Sequence, residues 1–396
     1  MMLPASDLLF RSFFLGGFEC SAHGLRSGRR LDLVAATAHD RHARADYARL
    51  RGRGIASARE GIRWRLIETV PGRYEFSSVM PIVRAAQEAG VQVLWDLCHY
   101  GWPDDVDIFA PAFIERFAGL AEAFARLLAA ETDEAPFIAP VNEISFFAWA
   151  GAEVGYFYPF AQGRAHELKC QLVRATLAGC DAIWAVDPRA RFVHLDPVIH
   201  VAHNRARPAD RPVAAAAHAL QWQAWDMLCG RVAPELGGAP RYLDIIGVNY
   251  YPNNQWIYNG PSFEQRVPIH RGHPQYRRLR HLLGDVFRRY GRPLLVAETG
   301  SEDAARVPWL RSIGREVRVA LRAGVPVEGL CWYPILNHPG WDDDRHVHNG
   351  LWDYADAAGD RAPYRPLARE LQRQQRLIGR LLARQALIYT GTEATA

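Results

Sequence analysis

Lysine is almost missing from this 396-residue chain. Nearly all positive charge is arginine, and 47 Lys+Arg stand against 43 Asp+Glu for a formal charge of +4. No long block of like charge occurs. The longest basic clusters are Arg-Ser-Gly-Arg-Arg at 26–30 and Arg-Arg-Leu-Arg-His at 277–281. Clusters this short read as solvated faces, so no nucleic-acid partner is expected. No run of ~18 apolar residues exists, so no membrane span or membrane partner is expected. The N-terminal segment 1–14 has no basic stretch followed by an apolar one and reads as lacking a secretory leader. The six cysteines at 20, 98, 170, 180, 229 and 331 contain no C-x-x-C, which argues against zinc-ribbon and thioredoxin-like sites. Several sit in apolar runs and read as small core residues, and reduced thiols suit a cytoplasmic protein. Phe14-Leu15-Gly16-Gly17-Phe18 lacks the G-x-G-x-x-G spacing of a dinucleotide turn. Internal repeats and low-complexity segments are absent.

What is present is a globular composition, 49% hydrophobic and 23% charged, with a heavy aromatic load of 12 Trp, 15 Tyr and 17 Phe. Short apolar runs alternate with long Ala/Leu/Arg-rich amphipathic stretches. The runs are Phe13–Phe18, Gly54–Glu60, Val91–Leu97, Phe137–Val141, Arg191–Leu195, Leu243–Val248, Pro293–Ala297 and Val327–Trp332. Helical stretches are expected near 40–52, 77–89, 111–130, 162–186, 211–231, 274–290, 305–323 and 364–384. Strict alternation of this kind predicts an α/β fold, a (β/α)8 TIM barrel, with residues 1–396 as one catalytic domain. Long segments follow the runs at 19–39, 98–110, 143–161, 196–210, 249–273 and 333–362, whereas the joints before them are short. The long loops therefore gather on the C-terminal face, where barrels build their active sites.

Two acidic residues close apolar runs: Glu143 after the fourth and Glu298 at the end of the seventh. A carboxylate there is costly unless it meets solvent or a partner. In a barrel these two ends face each other across the mouth, the arrangement glycoside hydrolysis needs. Taken singly, each is equally an ordinary loop carboxylate or a salt-bridge member. Other polar or aromatic residues at run ends are Arg63, His99, Asn249, Tyr250, Tyr251, Trp332 and Tyr333, with Trp341 in the last loop. Aromatic faces with His and Asn donors suit sugars, although His99 also reads as a structural histidine and Trp332 as barrel packing. His194, Asp196, His200 and His203 offer an alternative, a metal-dependent barrel hydrolase. That reading also wants a His-x-His on the first strand, which has no histidine.

The ordered motifs resemble glycoside hydrolase family 1, the β-glucosidase-like retaining enzymes of glycosidase clan A, over nearly the whole chain. They are Phe14–Gly24, Arg63-Trp64, Trp95-Asp96-Leu97 with His99, Asn142-Glu143, Gly247-Val248-Asn249-Tyr250-Tyr251, Glu298-Thr299-Gly300 and Gly350-Leu351-Trp352. The resemblance implies a carbohydrate or glycoside substrate, no cofactor and no metal. It makes Glu298 the nucleophile and Glu143 the acid/base. Arg63 and Tyr251 then support the ionised Glu298. Asn142 takes a sugar 2-hydroxyl, His99 and Asn249 other hydroxyls, and Trp332 the sugar face. Departures are also visible. Ile144 replaces a proline, and His23 stands at the family's first sugar-binding glutamine. His338-Pro339-Gly340-Trp341 stands where the family has Asn-Phe-Glu-Trp, so a sugar-gripping carboxylate is missing, with Asp342, Asp343 and Asp344 as nearby replacements. Hydrolysis, transglycosylation on the same site, and a silent sugar-binding barrel all stay open, and no oligomeric state is assigned.

Overall fold

A computed structural model describes residues 8–260 and 262–393. Residues 1–7, on which the N-terminal reading partly rests, lie outside the described residues. Eight parallel strands close into a barrel in sequential order. They are β1 (Phe14–Gly17), β2 (Ser57–Gly61), β3 (Gln92–Cys98), β4 (Phe137–Val141), β5 (Arg191–Pro197), β6 (Ile245–Asn249), β7 (Leu294–Thr299) and β8 (Val327–Trp332). Each lies on one of the expected apolar runs. The chain thus has the (β/α)8 architecture read from its alternation. Among the described residues, no helix is long and apolar enough to cross a membrane.

The period-2 alternation of side chains divides every strand into an inward and an outward set. Inward-facing Leu15, Leu94, Phe137, Val193, Ile245 and Leu295 pack together inside the barrel. Phe10, just before β1, packs against Phe137 with ring centroids 5.1 Å apart and joins this inward cluster. The outward set packs under the helices. Helix Pro111–Glu131 starts with proline at its first turn, where no backbone donor is lost. It lays Phe113, Phe117 and Phe124 on one stripe, with Trp64 at 5.4 and 5.5 Å from the first two rings and Trp95 at 5.5 Å from the third.

Near the C-terminal end the barrel interior turns polar. Arg59, Asp96, Asn142, Asn249 and Glu298 lie there, all buried. The long loops above them carry structure of their own. Strands His200–His203, Gln255–Tyr258 and Val267–Pro268 form a three-stranded sheet, and two small hairpins follow β8.

Candidate active site

Glu143 is the first residue but one after β4. Its backbone is left-handed, with φ 45° and ψ 62°, a conformation costing a non-glycine residue roughly 1–2 kcal/mol. Neighbouring backbone holds it there: its amide donates to the Leu195 carbonyl at 3.1 Å, and its carbonyl accepts from the Phe147 amide at 2.8 Å. The side chain turns into the barrel mouth. Tyr100 donates its hydroxyl to Oε2 at 2.5 Å, and Asn249 donates to Oε1 at 3.0 Å.

Glu298 reaches the same interior by a different device. Along β7, Leu295 and Ala297 face inward, so regular alternation would turn residue 298 outward. The pairing with β6 shifts between Val296 and Glu298: Val296 pairs with Val248, and Glu298 with Asn249. This bulge inserts one residue and re-aims the glutamate inward. Its Oε1 accepts from the Arg59 guanidinium at 2.5 Å and its Oε2 from the Tyr251 hydroxyl at 2.9 Å.

A continuous path of hydrogen bonds joins the two carboxyls. From Glu143 it runs to the Tyr100 hydroxyl, which accepts from the Asn142 amide at 2.9 Å. Asn142 Oδ1 in turn accepts from Arg59 at 2.8 Å, and Arg59 reaches Glu298. The Asn142 amide nitrogen is also 3.0 Å from His99 Nε2, and His99 Nδ1 is 3.2 Å from Asp96 Oδ2. Asp96 is the second anion on Arg59, at 2.6 Å. Burial, then the charge of Glu298, push the Glu143 carboxyl up to about 8. It is thus largely protonated at neutral pH.

Around this pair the structure gathers His23, His99, Asn142, Asn249, Tyr251 and Trp341 of the candidates expected from the sequence. His23 is fully buried, with its ring 4.6 Å from Trp341 and 6.1 Å from Tyr100. Burial pushes its imidazole down to about 3. Among the described residues, neither ring nitrogen of His23 has a hydrogen-bond partner, and neither does Asn249 Oδ1.

Two expected residues lie elsewhere. Arg63 pairs with Asp40 at 2.9 Å and Asp32 at 3.5 Å, not with Glu298. The guanidinium on Glu298 belongs to Arg59, an inward position of β2 where Glu60 faces out to His39 and Tyr47. Trp332 is an outward residue of β8. It packs with Leu310, Leu367 and Leu371 beneath the helices, and its indole donates to the Asn349 carbonyl at 2.9 Å. The inward ring is Tyr333, lying 4.8 Å from the Arg59 guanidinium. Gly17 makes room for it, since a Cβ there would meet that ring at 2.1 Å. Strand parity separates Trp332 from Tyr333, whereas Arg63 shares the parity of Arg59 but lies past the strand end at Gly61, at the start of helix Trp64–Ile67. Asn142 differs in a smaller way: both its amide hydrogens and its carbonyl are engaged in the path just described. Tyr100, given no role from the sequence, completes that path, and Asp96, quoted there only within its motif, is the second anion on Arg59.

The loop aspartates do not replace the missing carboxylate. Asp342 accepts from Tyr156, while Asp343 and Asp344 face Arg345 and Arg29. The histidine-rich set of the metal alternative does not converge either. His194 donates to the Tyr242 carbonyl at 2.6 Å, and Asp196 accepts from the Ser145 amide at 3.0 Å. Cys20, Asp96 and His99 do bring ligand-type atoms within 4.8 Å of one another. However, Arg59 already supplies the cation on Asp96, and burial pushes the Cys20 thiol far up, so it stays protonated.

No family model and no curated protein matches this chain in sequence. Its fold matches solved structures. An AHE enzyme from Alicyclobacillus herbarius superposes with a TM-score of 0.75 at 16% identity, over 94% of this chain and 97% of that one. A family 1 β-glucosidase from Thermotoga maritima gives a TM-score of 0.75 at 14% identity, over 96% and 98% of the two chains. The Thermotoga maritima β-glucosidase in complex with noeuromycin gives 0.74 at 14% identity, over 96% and 99%. The chain therefore has a fold like that of family 1 β-glucosidases.

Proposed function

We propose that this protein is a divergent member of glycoside hydrolase family 1 that hydrolyses β-glycosides with retention, by double displacement through a covalent glycosyl-enzyme. One observation carries the reading. Two buried strand-end carboxyls share a hydrogen-bonded pocket, and the charge of one helps keep the other protonated. Acid and nucleophile differ in the same way in a retaining pair.

In the first step a Glu298 oxygen bonds to the anomeric carbon as the bond to the leaving oxygen breaks. Glu143 gives that oxygen its proton. The ester so formed carries no charge on residue 298, so the influence that helped raise Glu143 disappears. Glu143 then takes a proton from an incoming water, whose oxygen attacks the anomeric carbon and releases Glu298. Arg59 and Tyr251 orient the nucleophile; Tyr100 and Asn249 orient the acid. His23, His99, Asn249 and Trp341 are the sugar-facing candidates. This chemistry uses no metal or organic cofactor. We read the whole chain as one catalytic domain. The six free cysteines, five of them buried, suit a reducing compartment, and we assign the protein to the cytoplasm.

The test is Glu298→Ala on aryl β-glycosides. Hydrolysis is lost, and added azide restores turnover with an α-glycosyl azide as product. Activity unchanged in this variant overturns the assignment.

A further inference from the structure

Glu19 lies just beyond β1 and is 8% exposed. Its Oε1 is fixed from its own loop, accepting from the Ser21 amide at 3.0 Å and the Ser21 hydroxyl at 2.6 Å, with the Tyr333 hydroxyl at 3.4 Å. Among the described residues, no hydrogen bond reaches its Oε2. The same Tyr333 ring faces the Arg59 guanidinium that holds Glu298. The charge of Glu19 acts on Tyr100 and Tyr251, whose hydroxyls hold the two catalytic carboxyls, and on His23. Burial alone would raise its own carboxyl. The fields of His99 and His338 and the two Ser21 hydrogen bonds outweigh burial and hold it below its ordinary value, as an anion. At the position where the family resemblance places a gripping glutamate, this chain has Gly340.

From this geometry we infer that Glu19 grips glycone hydroxyls through its free Oε2, and that the sugar site takes uncharged glycones. The inference rests on the proposed glycosidase reading and names the substrate class of that site. A carboxylate is an acceptor-only group, and one oxygen can take hydrogen bonds from two neighbouring hydroxyls. The local charge balance adds the exclusion. Asp96 and Glu298 share the single guanidinium of Arg59, which also donates to Asn142. A carboxylate or phosphate on the sugar would lie beside the Glu19 and Glu298 carboxylates, where like charges repel strongly at low dielectric.

The experiment pairs Glu19→Gln with substrate deletions. Aryl β-glycosides of the best-accepted sugar are compared with their 3-, 4- and 6-deoxy analogues, alongside the aryl β-glucuronide and 6-phosphoglucoside. In the parent protein, removing the gripped hydroxyl lowers kcat/KM about 100-fold, the scale of a hydrogen bond to a charged group. In Glu19→Gln the intact glycoside loses about as much, and the deletion penalty shrinks to a few-fold. Glu19→Asp, with its carboxylate drawn back, falls between. Equal deletion penalties in parent and variants, or faster turnover of the anionic glycosides than the neutral ones, overturn the inference. Calorimetric binding of the free sugars separates this failure from that of the catalytic reading. A parent without hydrolysis whose sugar binding weakens in Glu19→Gln leaves the grip standing and removes the chemistry. Hydrolysis with unaltered deletion penalties does the reverse.

Discussion

Glu143 owes its assigned role to its surroundings, since glutamate in water is ionised at neutral pH. Desolvation contributes most of the rise and the like charge of Glu298 contributes next, bringing the carboxyl to about 8. The sign follows directly. The acid form is present below pH 8 and is lost above it, so kcat/KM on aryl β-glycosides declines with an alkaline limb near pH 8. Glu298→Gln removes the neighbouring charge and lowers the Glu143 titration, read by carbon NMR of labelled glutamate carboxyls. An unmoved titration would mean that burial alone sets it. Glu143 and Glu298 are legible in the sequence because an acid closing an apolar run is conspicuous. Arg59 is not, since a basic residue inside a strand reads equally as an edge or an interior ion pair. Its meaning appears only once Asp96 and Glu298, from two other strands, converge on it.

At the scale of elements, alternation along a strand decides which side chains meet substrate and which meet helices. Arg59 and Tyr333 face in, while Glu60 and Trp332 face out. Trp332 departs from expectation because nearness to a strand end carries no information about parity, and Arg63 because the strand stops at Gly61 and the chain turns into a helix at Trp64. The bulge in β7 breaks parity and cannot be read from a run of apolar residues ending in Ala-Glu-Thr. Outward residues build a network of their own where β2 meets helix His39–Gly52. His39 lies 2.9 Å from Asp46 and 3.0 Å from Glu60, with the Tyr47 hydroxyl on Glu60 and Arg361 on Asp46. Burial opposes the His39 charge, but Glu60 and Asp46 outweigh it and raise the imidazole to about 9. A histidine raised on folding contributes stability that is complete below its unfolded value near 6.5 and is lost as pH climbs through 9. The denaturation midpoint therefore drops between about pH 6.5 and 9.5. His39→Gln starts lower at the acid end of that window and shows a flatter profile; an equally steep profile in the variant would remove His39 as the cause.

At the scale of the molecule, the last helix, Arg365–Glu393, packs against helix Arg306–Arg322 and reaches Trp332 of β8. It buries Leu367, Leu371 and Ile378 almost completely, and the first two line one small cavity with Trp332. At about 1.5–3 kcal/mol each, those three side chains amount to roughly 5–9 kcal/mol, comparable with the whole stability of many proteins. A chain ended at Pro363 is accordingly expected to lose its cooperative thermal transition and resist neither protease nor aggregation. A truncated protein with a sharp transition near that of the full chain would refute this role for the helix.

Order and periodicity along the chain are enough to specify the barrel, because alternating strand and helix periods bury apolar faces in one sequential closed order. They also single out the two carboxyls that end strands at the mouth. Folding in three dimensions settles the rest: which arginine and which aromatic ring face those carboxyls, that Asn142 is a link in a chain of hydrogen bonds, and that Glu19 stands with one oxygen uncommitted. Those outcomes depend on closure and on a local bulge. Closure brings side chains from β2, β3, β4 and β7 within hydrogen-bond reach although they are up to 239 residues apart.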